Sequence, residues 1–274
     1  MRGIITEGKA TYAFVERQFI LLKRYWLWEF VWIAYSMCTT LAMGFLAKGM
    51  PDLTGKEIDV QKPTIFLLVG SLLWGYLAGL FWDISNVVSW ERWEGTIEYT
   101  FMAPISRVTH ILGICLFSII YGVVRTAVML GLVALVFRLD LSHANIAGAL
   151  IILAASSFSF MGLGTIVAIL PLMSPEKGAQ ITGIIEGVLL MVSGVYYPVS
   201  VLPNWMQALA KISPATYTLQ GMRSALLDGT STAELLPTIL RLLLMGAVML
   251  PLGLRIFNWG ETYCKKTGKL KRSG

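Results

Sequence analysis

Six apolar stretches, separated by shorter polar segments, set the pattern of hydrophobic and polar positions along this chain. A helix needs about 20 mostly apolar residues to cross the roughly 30 Å hydrocarbon layer of a membrane. Because each stretch approaches or exceeds that length, the pattern predicts an all-α integral membrane protein with six transmembrane helices. The predicted spans cover residues 28–46, 64–82, 111–137, 146–172, 179–194 and 235–257.

A helical periodicity marks the segment before the first span. Its apolar side chains recur every three or four residues and form one stripe, whereas its charged side chains point elsewhere. Residues 1–27 are therefore predicted to form an amphipathic elbow helix lying in the membrane interface. The alternative is that this helix merely extends the first span. The stripe consists of Tyr12, Val15, Phe19, Leu22 and Trp26, and the charged residues are Glu16, Arg17, Lys23 and Arg24.

The connection between the fifth and sixth spans is apolar, but prolines and tyrosines interrupt it repeatedly. Non-helical backbone at membrane depth is tolerated only where it is buried in protein or lines a wet cavity. Residues 195–227 are therefore predicted to form short re-entrant helices that dip into the outer leaflet and pack on the bundle.

Composition and charge agree with a membrane protein and add an orientation. Hydrophobic residues make up 56% of the chain and charged residues 14%, against roughly 25% charged in a soluble domain. The net charge is +6, but the basic residues flank apolar segments, so topology explains them better than a nucleic-acid partner. By the positive-inside rule both termini are cytoplasmic, as are residues 89–107 and 173–177, whereas residues 196–227 lie outside. This predicts one transmembrane domain over residues 1–274 of a plasma or inner membrane protein, with a six-span bundle at 28–257 and a basic tail at 258–274.

A search for catalytic chemistry finds none in the sequence. The chain has no HExxH, GxSxG or DxD motif, and its two histidines and three cysteines lack the spacing of a metal site. A GxxxxGK[ST] phosphate loop is absent as well. No catalytic residue, metal or cofactor is therefore predicted on this chain, and any nucleotide hydrolysis must come from a partner.

The polar connection after the second span carries the most informative charges. Glu91, Arg92, Glu94 and Glu98 alternate with large apolar side chains before Pro104. Such a pattern predicts a short amphipathic helix at the cytosolic boundary, suited to insert into the groove of a soluble partner. The alternative is an ordinary solvated loop.

Two motifs in this chain resemble those of the type-2 exporter permeases of the ATP-binding-cassette (ABC) superfamily. The first is Glu-Arg-x-x-Gly-Thr-Ile-Glu from Glu91, followed by Ala-Pro-Ile-Ser-Arg. The second is Ser-Gly-Val-Tyr-Tyr-Pro-Val-Ser from Ser193, followed by Leu-Pro-x-Trp, Pro-Ala-Thr-Tyr and Arg223. Both occur in the expected order, and the six-span plan covers nearly the whole chain.

The resemblance implies a dimer of permease chains, either a homodimer or a heterodimer, that works with a separate ABC ATPase subunit binding ATP and Mg²⁺. In that family the first motif belongs to the coupling helix, which docks on the ATPase, and the second to re-entrant helices that help close the outer end of the pathway. The coupling residues carried over are Glu91, Arg92, Glu94, Gly95, Thr96, Glu98, Pro104 and Arg107. The outer-gate residues are Tyr196, Tyr197, Pro198, Pro203, Trp205, Pro214, Tyr217 and Arg223.

Ionisable side chains inside the predicted spans are further candidates, because a charge at the bilayer centre costs at least about 2.5 kcal/mol. Arg125 lies near the middle of the third span and either contacts substrate or makes structural hydrogen bonds. Glu186 lies between Gly183 and Gly187, a spacing that permits close helix approach, and is a candidate for the dimer seam or pathway. The remaining candidates are Trp32 and Tyr35 for substrate stacking, and Glu29 and Asp83 for pairing with interfacial Lys or Arg.

These observations favour the permease subunit of an ABC exporter for an amphiphilic or lipophilic compound, such as a drug-like molecule or a lipid. The first motif resembles the drug-export branch more than the polysaccharide-export branch, although export of a polysaccharide or lipid-linked glycan is an alternative. An ATP-independent channel or membrane scaffold is the alternative from another class, but it gives no reason for a charged helix between the second and third spans.

Overall fold

All secondary structure in the described part of the chain is helical. The computed structural model describes residues 2–55, 60–138, 143–174 and 177–268, so parts of three predicted loops and the end of the predicted tail lie outside the described residues. A short 3₁₀ turn covers Val199–Val201. The α-helices are α1 Arg2–Arg24, α2 Trp26–Lys48, α3 Met50–Thr54, α4 Gln61–Ser85, α5 Val87–Glu94, α6 Ile97–Met102, α7 Arg107–Phe137, α8 Ile146–Val167, α9 Ile169–Met173, α10 Gly178–Val192, α11 Asn204–Ala210, α12 Pro214–Leu227 and α13 Thr232–Thr267.

Five segments of the described chain are long and apolar enough to cross a membrane. They are α2, α4, α7, the nearly continuous α8 and α9, and α13. These match five of the six predicted spans. The fifth predicted span corresponds to α10, which has 15 residues and is therefore only about 22 Å long, short of the roughly 30 Å hydrocarbon layer.

The last helix is longer than the sequence predicts. α13 continues ten residues beyond the predicted end at Phe257, so the first part of the supposed basic tail is helical. Phe257, Gly260 and Cys264 keep an apolar face buried against the bundle through these turns. An ion pair of 2.6 Å between Lys265 and Glu261, one turn apart, supports the same helix.

Glycines bring α8 and α13 into close contact. Gly246, Gly253 and Gly260 recur every seven residues on α13, and Gly162 on α8 faces the same seam. A Cβ added at Gly162 would lie 2.7 Å from the backbone nitrogen of Leu250. Small residues let transmembrane helices approach backbone to backbone, where dispersion contacts are densest. The α8–α13 pair is thus a close seam, against which α4, α9 and α12 also pack.

Hydroxyl groups add polar links between the spans. Thr40 on α2 and Ser71 on α4 are 3.2 Å apart, and the Tyr76 hydroxyl lies 2.5 Å from Ser157 on α8. Ser159 donates to a backbone carbonyl of α13. Without water, such groups are best satisfied by each other, so these contacts fix the relative positions of four helices.

The N-terminal helix is separate from the first span. α1 ends at Arg24, and α2 begins at Trp26 after a turn at Tyr25. Along α1, Phe14 contacts His110 and Phe19 contacts Phe117, each with ring centroids 5.0 Å apart. The helix therefore follows the first turns of α7. From the predicted stripe, Tyr12 on α1 and Trp26 at the start of α2 are left exposed.

The segment after α10 consists of short helices, as predicted. The 3₁₀ turn, α11 and α12 follow one another, and α12 packs on α4, α8 and α13. Ala215, Leu219 and Ala225 form its buried face. Asn145, before α8, donates to the Thr230 carbonyl at 2.8 Å and ties the end of α12 to the start of α8.

Candidate coupling site

The segment that carries the first motif forms two short helices, not the one predicted. α5 ends at Glu94 and α6 starts at Ile97, with Gly95 between them at φ 75°. Residues with a Cβ atom are strained at such positive φ values, whereas glycine adopts them freely and commonly ends helices. α6 ends at Met102, two residues before Pro104, because the backbone preceding a proline is driven out of the helical region.

Glu91 is the centre of a buried polar network. Its carboxylate is only 3% exposed, and its Oε1 lies 2.9 Å from His110 Nε2 on α7. The Thr100 hydroxyl on α6 donates to the same oxygen at 3.2 Å, and Arg17 on α1 lies 3.6 Å away. One carboxylate therefore holds α1, α5, α6 and α7 together.

Two side chains of helix α1, Arg17 and Glu7, make further polar contacts with this region. Arg17 pairs with Glu94 and donates to the Thr96 hydroxyl at 3.2 Å. Glu7 accepts hydrogen bonds from the Thr109 and Ser106 hydroxyls at the start of α7. The Thr109 hydroxyl, followed by Ser106, lowers the pKa of the Glu7 carboxyl below its ordinary value, against a smaller effect of desolvation. Sequence reasoning placed Arg17 only on the polar side of α1, so its role as a clamp comes from the structure.

Arg92 faces the other side of the bundle. It is 6% exposed, and its guanidinium donates to the Leu172 carbonyl of α9 at 2.9 Å. The Cys264 thiol of α13 donates to the same carbonyl at 3.4 Å. Burial lowers the pKa of the Arg92 guanidinium. Two adjacent residues thus connect α5 to opposite groups of helices, α1 and α7 through Glu91, and α9 and α13 through Arg92.

The outward side of the segment is aromatic and apolar. Trp93, Tyr99 and Met102 are 70%, 80% and 82% exposed, and Trp90 packs edge to face on Trp93 at 5.8 Å. Together with the exposed Glu98 they form what we call the coupling surface. Of the other predicted coupling residues, Glu94, Gly95 and Thr96 are half-buried beside α1, Pro104 is exposed, and Arg107 begins α7 with its side chain outside the described residues.

Inside the spans, the ionisable residues mostly bond to hydroxyls. Arg125 donates to the Ser36 hydroxyl at 2.6 Å and to the Trp32 carbonyl at 3.3 Å, which fits a structural role. Glu29 accepts from Tyr121, and Asp83 accepts from Ser118 at 2.8 Å, where interfacial Lys or Arg partners were predicted. The rings of Trp32 and Tyr35 meet edge to face at 6.4 Å and are exposed.

Two pairs of glycines leave an open face on α4 and α10. A Cβ added at Gly75 or Gly79 on α4, or at Gly183 or Gly187 on α10, would meet nothing within 4 Å. Glu186 lies half-buried on this part of α10. The two helices also contact each other.

Arg223 fixes the segment that follows α10. It donates to the Gly194 carbonyl at 2.9 Å and to the Val195 carbonyl at 2.6 Å, both in the turn that follows α10. Its guanidinium also lies 3.4 Å above the Phe66 ring of α4. A side chain at Gly70 would collide with Arg223 and Val195, so this glycine makes room for the contact.

The other predicted gate residues surround the same turns. Tyr197 donates to the Met191 carbonyl at 2.6 Å, and Tyr217 donates to the Lys211 carbonyl at 2.9 Å. Pro203 precedes α11 and Pro214 is the first residue of α12, the position where proline costs a helix least. Tyr196 is half-buried, whereas Pro198 and Trp205 are exposed.

Comparison with known proteins gives a family match over most of the chain. The family described as ABC-2 type transporter matches residues 9–227, which extend from α1 through the coupling segment to the end of α12. Linearmycin resistance permease protein LnrN of Bacillus subtilis (strain 168) is 22% identical over 164 residues, covering 60% of this chain and 42% of that protein. The aligned region thus spans less than half the length of this relative. With its five long apolar helices, the chain is a multi-pass membrane protein, and it belongs to the ABC-2 type transporter family.

Proposed function

We propose that this chain is the permease subunit of an ABC exporter, driven by ATP hydrolysis on a separate nucleotide-binding subunit. The observation that carries the proposal is the coupling surface, in which large exposed side chains stand on a segment anchored by two buried charges. Membership of the ABC-2 family supports an ABC ATPase as the partner.

The composition of the coupling surface favours a protein partner. Trp and Tyr dominate the energetic centres of protein interfaces because they bury large areas at a low entropic cost. Trp93, Tyr99 and Met102 expose such area on a segment that the distribution of Lys and Arg assigns to the cytoplasm. Glu98 adds one charge to an otherwise apolar surface, which suits a cationic residue on the edge of the partner's groove.

The buried charges behind this surface supply a route for transmission. Movement of α5 pulls on α1 and α7 through Glu91, and on α9 and α13 through Arg92. Charges buried with well-placed partners resist separation, since breaking one contact leaves the other group unpaired. ATP binding and hydrolysis with Mg²⁺ on the partner therefore displace both halves of the bundle together.

Six membrane-crossing helices, with α10 as the shortest, make up the proposed permease bundle. At the outer end α11 and α12 act as re-entrant helices, and Arg223 of α12 bonds to the Gly194 and Val195 carbonyls that follow α10. α1 serves as the interfacial elbow, with Tyr12 on α1 and Trp26 at the start of α2 facing lipid. Both termini are cytoplasmic, in the plasma or inner membrane.

A second copy of the chain completes the pathway. The open glycines of α4 and α10 permit close approach of another protomer, as small residues do in other membrane helices. Glu186 then lies at the seam or in the pathway, and Arg125, Trp32 and Tyr35 are the further candidates for contact with cargo. The relative named for resistance to linearmycin favours a compound expelled for protection, so we propose an amphiphilic or lipophilic cargo in preference to a polysaccharide.

Transport in vesicles tests this function. Inverted vesicles holding the chain together with its ATPase subunit should accumulate a fluorescent amphiphile when ATP is added, and vesicles lacking either subunit should not. Trp93→Ala with Tyr99→Ala should abolish accumulation, because the docking contact is lost, whereas Trp28→Ala removes a similarly exposed tryptophan from α2 and should leave it intact. ATP-independent transport by this chain alone would overturn the proposal.

A further inference from the structure

The cytoplasmic end of α13 carries a face that the coupling function does not use. The helix has 36 residues and is therefore about 54 Å long, well beyond the roughly 30 Å hydrocarbon layer. One continuous stripe of exposed residues follows its length, apolar in the middle and mixed basic and aromatic at the cytoplasmic end. The stripe consists of Arg241, Leu244, Val248, Leu252, Arg255, Trp259, Tyr263 and Lys266.

The last four turns of α13 have two different sides. Phe257, Gly260 and Cys264 lie on the side that packs on α9, and Cys264 bonds to the Leu172 carbonyl. The outward side presents Arg255, Trp259, Tyr263 and Lys266, which we call the basic–aromatic face. Because the inner side is seated on the bundle, this face is held rigidly and points away from the protein.

Charge on the basic–aromatic face is unbalanced. Arg255 and Lys266 are exposed, and neither makes an ion pair with any described residue. The only acid within these turns, Glu261, is buried on the other side and paired with Lys265 at 2.6 Å. Trp259, 62% exposed, stacks on Tyr263 with ring centroids 6.2 Å apart. Such aromatic pairs prefer the boundary between hydrocarbon and headgroups.

We infer that the basic–aromatic face binds the headgroup of an anionic phospholipid of the cytoplasmic leaflet. Arg255 and Lys266 are about 16 Å apart along the helix axis, so Arg255 contacts the phosphate, while Lys266, beyond the aromatic pair, adds attraction to the anionic surface of the leaflet. Basic residues next to a membrane helix attract anionic lipids, and each contributes a factor of about five to the affinity. The lipid then anchors the end of α13 next to the carbonyl that Arg92 also binds.

Native mass spectrometry of the full chain, purified without any ATPase subunit, tests the site. The wild type should retain phosphatidylglycerol in preference to phosphatidylcholine from mixed micelles. Arg255→Ala with Lys266→Ala should lower phosphatidylglycerol affinity by about 25-fold, the product of two factors of about five. Arg255→Lys with Lys266→Arg should restore it, because both charges return.

Lys177→Ala with Lys211→Ala, which removes two exposed cations elsewhere, is the matched control and should bind as the wild type does. Equal retention of the two lipids by the wild type, or equal affinities of the alanine variant and the control, would overturn the inference. The inference would also be overturned if Arg255→Ala with Lys266→Ala kept its lipid affinity but no longer co-purified with the ATPase subunit, since the face would then bind a protein. The lipid measurement uses the permease alone, so it stands apart from the test of ATP-driven transport.

Discussion

Two glutamates of the coupling segment have different expected roles: Glu91 stabilises the fold, whereas Glu98 contacts the docked partner. Glu91 is buried and accepts contacts from three helices, whereas Glu98 is exposed in the same motif. We expect Glu91→Ala to destabilise the fold by about 2–3 kcal/mol, because it removes the hydrogen-bond partner of the buried His110 Nε2 and the contacts of this carboxylate with α1 and α6.

The measurement for this pair is a thermal melt in detergent, combined with co-purification of the ATPase subunit. Glu98→Ala is the matched control. Its free energy of unfolding should lie within about 0.5 kcal/mol of the wild-type value, as is usual for surface substitutions. A Glu91→Ala protein that melts like Glu98→Ala would contradict the network.

Acid should loosen the contact between α1 and α7 through Glu7. Hydrogen bonds from Thr109 and Ser106 favour its ionised form and lower its pKa in the fold. The resulting stabilisation is complete above the ordinary carboxyl pKa and is lost as the pH falls through the lowered value. Melting temperatures of the wild type and Glu7→Gln should therefore differ at neutral pH and converge in acid, whereas Glu16→Gln, on the exposed side of α1, should follow the wild type throughout. A constant difference at every pH would argue against this contact.

The sequence identifies candidate functional residues better than it predicts the direction in which their side chains point. The Glu91–Arg92 motif was found because charges in a short connection between apolar runs have few explanations. Its inward orientation depends on Arg17 and His110, and on the Leu172 carbonyl 80 residues away. No local pattern encodes such contacts, since they arise only when distant helices pack.

Close packing of α8 and α13 gives a prediction at the scale of elements. A Cβ at Gly162 would lie 2.7 Å from the Leu250 backbone nitrogen, so backbone would have to move. Gly162→Ala should destabilise the protein by about 1–3 kcal/mol through overpacking. Gly131→Ala, at a position where an added Cβ meets nothing within 4 Å, should be neutral or stabilising because alanine favours the helix. Thermal melts of the two variants check this, and equal melting temperatures would refute the close seam.

The sequence predicts helix positions well where they depend only on the preference of apolar side chains for lipid. Five long apolar runs became five long helices, since backbone in hydrocarbon must bond internally. The break at Gly95 differs from the single helix predicted there, although a glycine after a charged helical run is a common stop signal. The extension of α13 was missed because its polar residues suggested a tail, while Phe257, Gly260 and Cys264 continued the buried periodicity.

For the whole molecule, the open glycines of α4 and α10 predict the interface between two copies. Gly187→Leu places a large side chain on that face without meeting any atom of its own protomer. It should convert dimers to monomers in mass photometry and leave the melting temperature unchanged. Gly131→Leu adds the same side chain to another open position, on α7, and should leave the dimer intact. Dimers that persist in Gly187→Leu would assign the seam to other helices.

The most direct test of the account is a photo-cross-linking experiment on the assembled transporter. A benzoylphenylalanine residue replaces either Trp93 on the coupling surface or Trp205 on α11, which are similarly exposed. The account predicts that the probe at residue 93 cross-links to the ATP-hydrolysing subunit and that the probe at residue 205 does not. Cross-linking from residue 205, or its absence from residue 93 in a complex that hydrolyses ATP, would contradict it.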